Sequence, residues 1–283
     1  MTGAARYAVF AALALHGLLG ALFPTISFAL PREARVPGGV ALISLGAADT
    51  QDKPRAWLDE QPVWVARKNQ QWWAIVGIGL DALPGRRELR VATQTGERTV
   101  RFDVASKRYP EQRITLKDSS RVSLSPENEA RALAEIARIQ EIKRTWHDGP
   151  VVDEQAYRFI LPTEGRRASQ FGLRRFFNNE PRAPHNGMDL AVPRGTAVKA
   201  SADGTVLAVD DYFFNGKTVF VDHGNGLITM VCHLDQIDVR ADQAITRGDM
   251  LGRAGRTGRA SGPHVHWSVV LNGVMVDPAL FIK

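Results

Sequence analysis

Five of the seven histidines in this 283-residue chain follow residue 184, and four of those five stand in three short motifs: His185-Asn186-Gly187-Met188-Asp189, Cys232-His233-Leu234 and His264-Val265-His266. Imidazole nitrogen and carboxylate oxygen are the donors of choice for a borderline cation. Two histidines and one aspartate with an open fourth position describe a catalytic zinc site better than a structural one, which normally closes with four protein ligands. Iron held by two histidines and a carboxylate is the chemical rival. Ligand preference favours zinc, whose chemistry is hydrolysis: it makes water acidic enough to attack near neutral pH and polarises a carbonyl.

Those side chains must be brought together by the backbone. Pro184 and Gly187 oppose a helix over 185–189. In a straight strand, His185 and Asp189 would stand roughly 13 Å apart, too far to share an ion. A bend at Asn186-Gly187, a dipeptide suited to left-handed backbone angles, is therefore expected, with Leu190-Ala191-Val192 entering a strand. His264-Val265-His266 reads as a strand start, since Trp267-Ser268-Val269-Val270-Leu271 continues it to the turn Asn272-Gly273. Alternation then places both imidazoles on one face about 6.6 Å apart, with Val265 in the opposite layer. Both could reach one metal, or one could ligate while the other faces a substrate.

Five segments occur in order: Ser169-Gln170-Phe171-Gly172-Leu173-Arg174, the run from His185 through Asp189 to Pro193-Arg194-Gly195, Asp222-His223-Gly224-Asn225-Gly226, Cys232-His233-Leu234, and Thr257-Gly258 through His264-Val265-His266-Trp267. Together they resemble the M23 (lysostaphin/LytM-type) zinc peptidases of bacterial cell walls, over residues 155 to 283. The resemblance implies that His185, Asp189 and His266 hold Zn2+. It also implies that His264 and His233 handle the attacking water and the developing oxyanion. Val231 and Cys232 depart from that family's usual Tyr or Phe and Ala before the motif histidine, which touches packing and leaves the catalytic positions intact. No His-Glu-x-x-His motif is present, so no glutamate is assigned as base. An imidazole titrating near 6.5 can exchange the proton. His264 is assigned to water orientation and proton transfer and His233 to the oxyanion, with the two roles interchangeable.

Arg174, placed after Phe171-Gly172 near the expected cleft, can be read as a surface charge or as a bidentate grip on a substrate carboxylate. His223 lies in a turn rich in Asp and Gly and reads as structural. His147 reads as a solvated linker residue.

The remainder of the chain supplies context. Residues 1–29 carry one charge, Arg6, an apolar run from Tyr7 to Leu22, and Ser27-Phe28-Ala29 as a small-x-small cleavage site. They read as a secretory signal peptide, with an uncleaved anchor as the alternative. Export to the periplasm follows, with membrane attachment only where the leader is retained. Cys232 is the single cysteine, so an internal disulfide is excluded and packed cores must hold the fold.

The fold class expected is mainly β: a small β-sandwich over residues 30–120, a linker helix within 121–150 and an antiparallel-sheet peptidase domain over 151–283. Short β-type runs at Val40–Ile43, Val63–Val65, Trp72–Val76, Leu89–Val91 and Val100–Val104 carry the first assignment. Val36–Val40, Val76–Ile78 and Lys107–Tyr109 also resemble the domain that precedes some proteobacterial M23 peptidases. Runs at Gly204–Val209, Lys217–Val221, Leu227–Val231 and Trp267–Leu271 carry the antiparallel sheet. Ser125 is the expected N-cap with Pro126 at the first helical position. Leu133, Ile136, Ile139, Ile142 and Trp146 form a stripe expected to be buried, preferably on the sandwich.

The formal charge is +6, or +5 without Arg6. A basic enzyme is drawn weakly to an acidic polymer such as peptidoglycan, whose stem peptides bear carboxylates. Nucleic acid, the other acidic partner, has no recognition motif here. The expectation is an exported zinc endopeptidase cutting peptidoglycan cross-links, by analogy D-Ala to diaminopimelate bonds. The alternatives are a non-catalytic wall-binding activator of another hydrolase, and an amidase of the sugar-peptide bond. A regulatory protein partner that moves a shielding N-terminal half is a further contact this reading admits.

Overall fold

The computed structural model describes residues 30–48, 52–115, 124–149 and 159–282. The leader assigned to residues 1–29 lies outside them. Among the described residues, no helix is long and apolar enough to cross a membrane.

In the N-terminal half, the alternating runs become strands β1 (Val40–Ala47), β2 (Arg55–Leu58), β3 (Gln61–Lys68), β4 (Gln71–Gly77), β5 (Gly85–Thr93) and β6 (Gly96–Val104). They form one antiparallel sheet in the order β1-β4-β3-β2-β5-β6. Its inward side chains, including Ile43, Val65, Val76, Leu89 and Phe102, meet in a single core. The expected sandwich is thus realised as a sheet curled on itself into a near-barrel. Strand β3 is buried on both faces for a definite reason. Val63 and Val65 point into this core, while Trp64 and Ala66 point into the core of the other half. The main chain of Gly77 is clasped by the Asn272 side chain, whose Oδ1 accepts from the Gly77 amide at 2.6 Å. The two halves therefore share packing and do not merely sit on a tether.

A last strand of this half, β7 (Glu111–Ile114), precedes helix α1 (Pro126–Lys143). Ser125 caps the helix by accepting from the Asn128 amide at 3.3 Å, with Pro126 beginning the first turn. The expected apolar stripe is only partly buried, and it is not buried on the sandwich. Ile142 and Ile139 pack with Tyr212, Phe220, Ile228 and Met230 on the back of the C-terminal sheet, whereas Leu133 and Ile136 are 62% and 45% exposed. The physical reason is polar docking of the first turns. Arg131 donates to the Asp211 carbonyl at 2.8 Å and Glu135 accepts from the Phe213 amide at 2.6 Å, turning Leu133 outward. Trp146 lies beyond the helix, its ring seated over Gly226, where an added Cβ would fall 2.8 Å from it.

The C-terminal half contributes β8 (Arg166–Ser169), β9 (Arg174–Phe177), β10 (Glu180–Pro181), β11 (Met188–Ala191), β12 (Ala197–Lys199), β13 (Gly204–Tyr212) and β14 (Gly216–Asp222). It continues with β15 (Leu227–Ile237), β16 (Ala244–Ile245), β17 (Met250–Ala254), β18 (His264–Leu271) and β19 (Val274–Val276). The main sheet runs β16-β13-β14-β15-β18-β11-β8, with β12, β17 and β19 off this path. Strand β18 is central, and Val265, Trp267, Val269 and Leu271 alternate into the shared core. A separate small sheet, β10-β9-β7, pairs β7 of the N-terminal half in parallel with β9.

Candidate metal centre

Strand register assembles three of the expected residues. Asp189 on β11 stands opposite His266 on β18, Ala191 stands opposite His264, and Cys232 on β15 faces His266 from the other side. Alternation along β18 sends His264 and His266 to one face and Val265 into the core, as expected. His185 precedes β11 and is held by main-chain bonds: its carbonyl accepts from Gly172 at 2.7 Å and its amide donates to Leu173 at 3.0 Å.

The bend expected at Asn186-Gly187 occurs at Gly187, but neither residue adopts left-handed angles. Glycine is needed there for space. A Cβ on Gly187 would stand 2.6 Å from the His266 ring and from Ser268 Oγ. The left-handed backbone lies instead at His233, with φ of 62°, where the β14–β15 register slips. That unfavourable conformation interrupts the alternation after buried Cys232 and brings His233 beside His264 and His266.

The result is a compact donor triangle. His185 Nε2, Asp189 Oδ1 and His266 Nδ1 lie 3.0 Å from one another on all three sides. Ligands of a tetrahedral ion held at zinc distances stand about 3.3 Å apart, so the triangle fits such an ion after a small outward shift. The rings' other nitrogens explain why this cluster calls for a cation. His185 Nδ1 lies 2.9 Å from the Gln170 carbonyl, which can only accept, so that nitrogen carries the proton and Nε2 presents a lone pair. His266 Nε2 is occupied by Ser268 Oγ at 2.9 Å. With a proton on that nitrogen, two imidazole lone pairs and a carboxylate oxygen converge on one point. Only a cation or a shared proton can satisfy that geometry.

His233 and His264 complete the ring of imidazoles. Each ties Nδ1 to a carbonyl, Thr257 at 2.9 Å and Gly262 at 2.8 Å, which leaves Nε2 unclaimed by those bonds. Their ring centroids are 4.7 Å apart, His233 is 6.2 Å from His266, and His264 Nε2 lies 3.8 Å from Asp189 Oδ1. Burial pushes His233 down to about 4, reinforced by its histidine neighbours, and burial likewise lowers His266. Both rings are therefore neutral near pH 7. Burial alone would raise the Asp189 carboxyl, but where a shared proton stands in for the cation, hydrogen bonds from His185 and His266 outweigh it and hold the group well below the usual carboxylate range. Burial also drives the Cys232 thiol up to about 12, so it is an inert core group.

The remaining residues fall as follows. Arg174 stands outside the donor cluster, paired with Glu111 at 3.2 Å. His223 is structural: its ring nitrogens bond the Asp203 carbonyl at 2.7 Å and Thr229 Oγ at 2.9 Å. His147, expected to be solvated, is exposed yet bonds Asp222 Oδ2 through Nδ1 at 2.5 Å. Sequence reasoning missed Ser268, although its place two residues after His266 on the same strand face was a usable signal. It also missed the carbonyls that fix the other rings, which no side-chain pattern announces.

A histidine, histidine, aspartate donor set on an antiparallel sheet, with two further imidazoles beside it, defines the class. The comparisons agree with it. Residues 183–278 match the model of peptidase family M23, and residues 33–107 match the M23 N-terminal domain. The crystal structure of a peptidase M23 protein from Pseudomonas aeruginosa is 41% identical and superposes with a TM-score of 0.74, covering 88% of this chain and 96% of that one. This chain belongs to peptidase family M23. It is also similar to the peptidoglycan DD-endopeptidase ShyA of Vibrio cholerae, 35% identical over 54% of this chain and 38% of the relative. The DD-carboxypeptidase/endopeptidase Mpg of Neisseria meningitidis is 36% identical over 46% of this chain and 30% of the relative. The matches thus span under two fifths of the length of these curated relatives.

Proposed function

We propose that this protein is a zinc endopeptidase that hydrolyses the peptide cross-links of peptidoglycan, at the D-Ala to diaminopimelate bond. The observation that carries the reading is the triangle of donors 3.0 Å on a side, with two further imidazoles beside it. The DD-endopeptidase names of the relatives support the choice of bond. His185, Asp189 and His266 would hold the ion, which supplies Lewis acidity toward a carbonyl and toward water.

The chain's own groups then divide the work. His264, anchored by Gly262 and 3.8 Å from the Asp189 carboxylate, is placed to orient water and take its proton at Nε2. His233, anchored by Thr257, can donate from Nε2 to a developing oxyanion once protonated, or exchange roles with His264. The carbonyl anchors fix the tautomer, so neither ring needs to reorient during turnover. The leader pattern of residues 1–29 supports action in the periplasm, either released or held by an uncleaved leader, and a regulatory protein partner would govern access.

Mass spectrometry of sacculi digested with the full chain tests the reading. Cross-linked muropeptide dimers should fall to monomers, and a chelator should stop the reaction. Release of peptides from sugar would identify an amidase instead, and an unchanged profile would identify a protein without catalysis.

A further inference from the structure

A cavity of about 710 Å³ opens between the two halves, walled by Lys107, Arg108 and Glu111 on one side and by Gly172, Arg174 and Pro184 on the other. It adjoins the metal centre. Pro184 immediately precedes His185, and the Gly172 amide donates to the His185 carbonyl at 2.7 Å. Three of those six residues carry cationic side chains. One carboxylate sits among them. Glu111 and Arg174 are register partners where β7 pairs with β9, and Glu111 Oε1 lies 3.2 Å from Arg174 Nη1 while its Oε2 lies 3.3 Å from Arg113 Nη2. The guanidiniums of Arg113 and Arg174 also lie 4.3 and 5.6 Å from the Phe176 ring. Arginines oriented around a ring with their donors toward one carboxylate form a preorganised seat for that group.

The resident carboxylate is loosely held. The Glu111 and Arg174 side chains are 40% and 53% exposed, and ion pairs of that kind contribute about 0–1 kcal/mol. A ligand carboxylate that brings further contacts can therefore take its place. We infer that this interdomain cavity is the subsite for a free carboxylate on the substrate peptide beside the bond to be cut, that Arg174 is its principal ligand, and that Glu111 occupies the seat in the unliganded chain. The inference rests on the peptidase reading for the peptide nature of the ligand. The N-terminal half thereby becomes part of the substrate site.

Calorimetric titration of the zinc-loaded full chain with a stem-peptide dimer whose cross-linking amide is reduced so that it cannot be cut, and with its twin in which the free α-carboxylate next to the cross-link is amidated, tests this. The wild type should bind the carboxylate form roughly tenfold tighter, the usual weight of a charged hydrogen-bonded contact. Glu111→Gln should tighten the carboxylate form by about threefold and leave the amide form alone. Arg174→Gln should bring the two forms together, and Arg174→Lys should keep part of the preference. Equal binding of both forms by the wild type, an unchanged preference in Arg174→Gln, or weaker carboxylate binding in Glu111→Gln would each overturn the assignment. Following cleavage of the same two dimers with the amide intact keeps the two ideas apart. Preferential binding with no cleavage would sink the peptidase reading alone, whereas cleavage with equal affinities would sink only the subsite.

Discussion

The two ends of strand β14 and its neighbours carry clusters built from the same residue types, and only one of them could hold an ion. At the turn end, Asp222 accepts from the Gly224 amide at 2.8 Å and bonds His147 through its other oxygen, while both nitrogens of His223 are engaged. That cluster is closed. At the cleft end, His185 and His266 each engage one nitrogen with the surrounding frame and aim the other at Asp189. The difference teaches that density of histidine and aspartate is a poor guide to a metal site. What matters is whether lone pairs are left over and share a focus.

The sharpest way to break the comparison is to delete its two carboxylates in turn. Asp189→Ala should abolish both stoichiometric zinc and cross-link hydrolysis, as read by elemental analysis and muropeptide profiling. Asp222→Ala should keep zinc and turnover and cost about 1–3 kcal/mol in denaturant unfolding, the penalty of unpairing buried polar groups. Equal zinc in the two variants would erase the distinction.

His233→Ala comes next. It should retain zinc while turnover falls roughly 10²- to 10⁴-fold, the contribution of a positioned proton-transfer group. Loss of zinc in this variant would move His233 from the reaction to the coordination shell.

Smaller still is the effect of the frame. Ser268→Ala removes the partner of His266 Nε2 at 2.9 Å and should weaken zinc roughly 10- to 100-fold in a chelator competition. Thr229→Val, the matching change beside His223, should leave zinc affinity where it was.

Much of this arrangement could be read from residue order, and the exceptions share a cause. Alternation over His264-Val265-His266 placed two imidazoles on one face, and Ser125-Pro126 announced the start of α1, because each depends on neighbours in sequence. The left-handed backbone of His233 was not legible, since Leu227–Val231 reads as uninterrupted strand and the slip arises from pairing with β14. The role of Gly187 was misread for the same reason: the atoms that exclude a Cβ belong to His266 and Ser268, some eighty residues away. Leu133 and Ile136 keep helical spacing yet face outward, because Arg131 and Glu135 dock that end of the helix through polar bonds. The partnership of Glu111 with Arg174 depends on a parallel strand pairing between halves that no local pattern encodes.

A last difference separates the clusters by pH. Burial pushes His223 down to about 4, against the opposing pull of the Asp203 carbonyl and of Asp222. An unfolded chain takes up this proton near 6.5, so as pH falls from there toward 4 the unfolded state binds more protons and stability declines, by up to roughly 3 kcal/mol. Below about 4 the decline from this group ends. Melting curves across that window should be shallower for His223→Gln than for the wild type. Parallel curves would mean that the ring titrates normally in the fold.

X-ray absorption at the zinc edge of the full chain tests the central claim most directly. One zinc per chain, bound by two imidazole nitrogens and light oxygen donors with no sulfur shell, and lost in Asp189→Ala, is the predicted result. A spectrum showing sulfur ligation, or one unchanged by Asp189→Ala, would contradict the proposed centre.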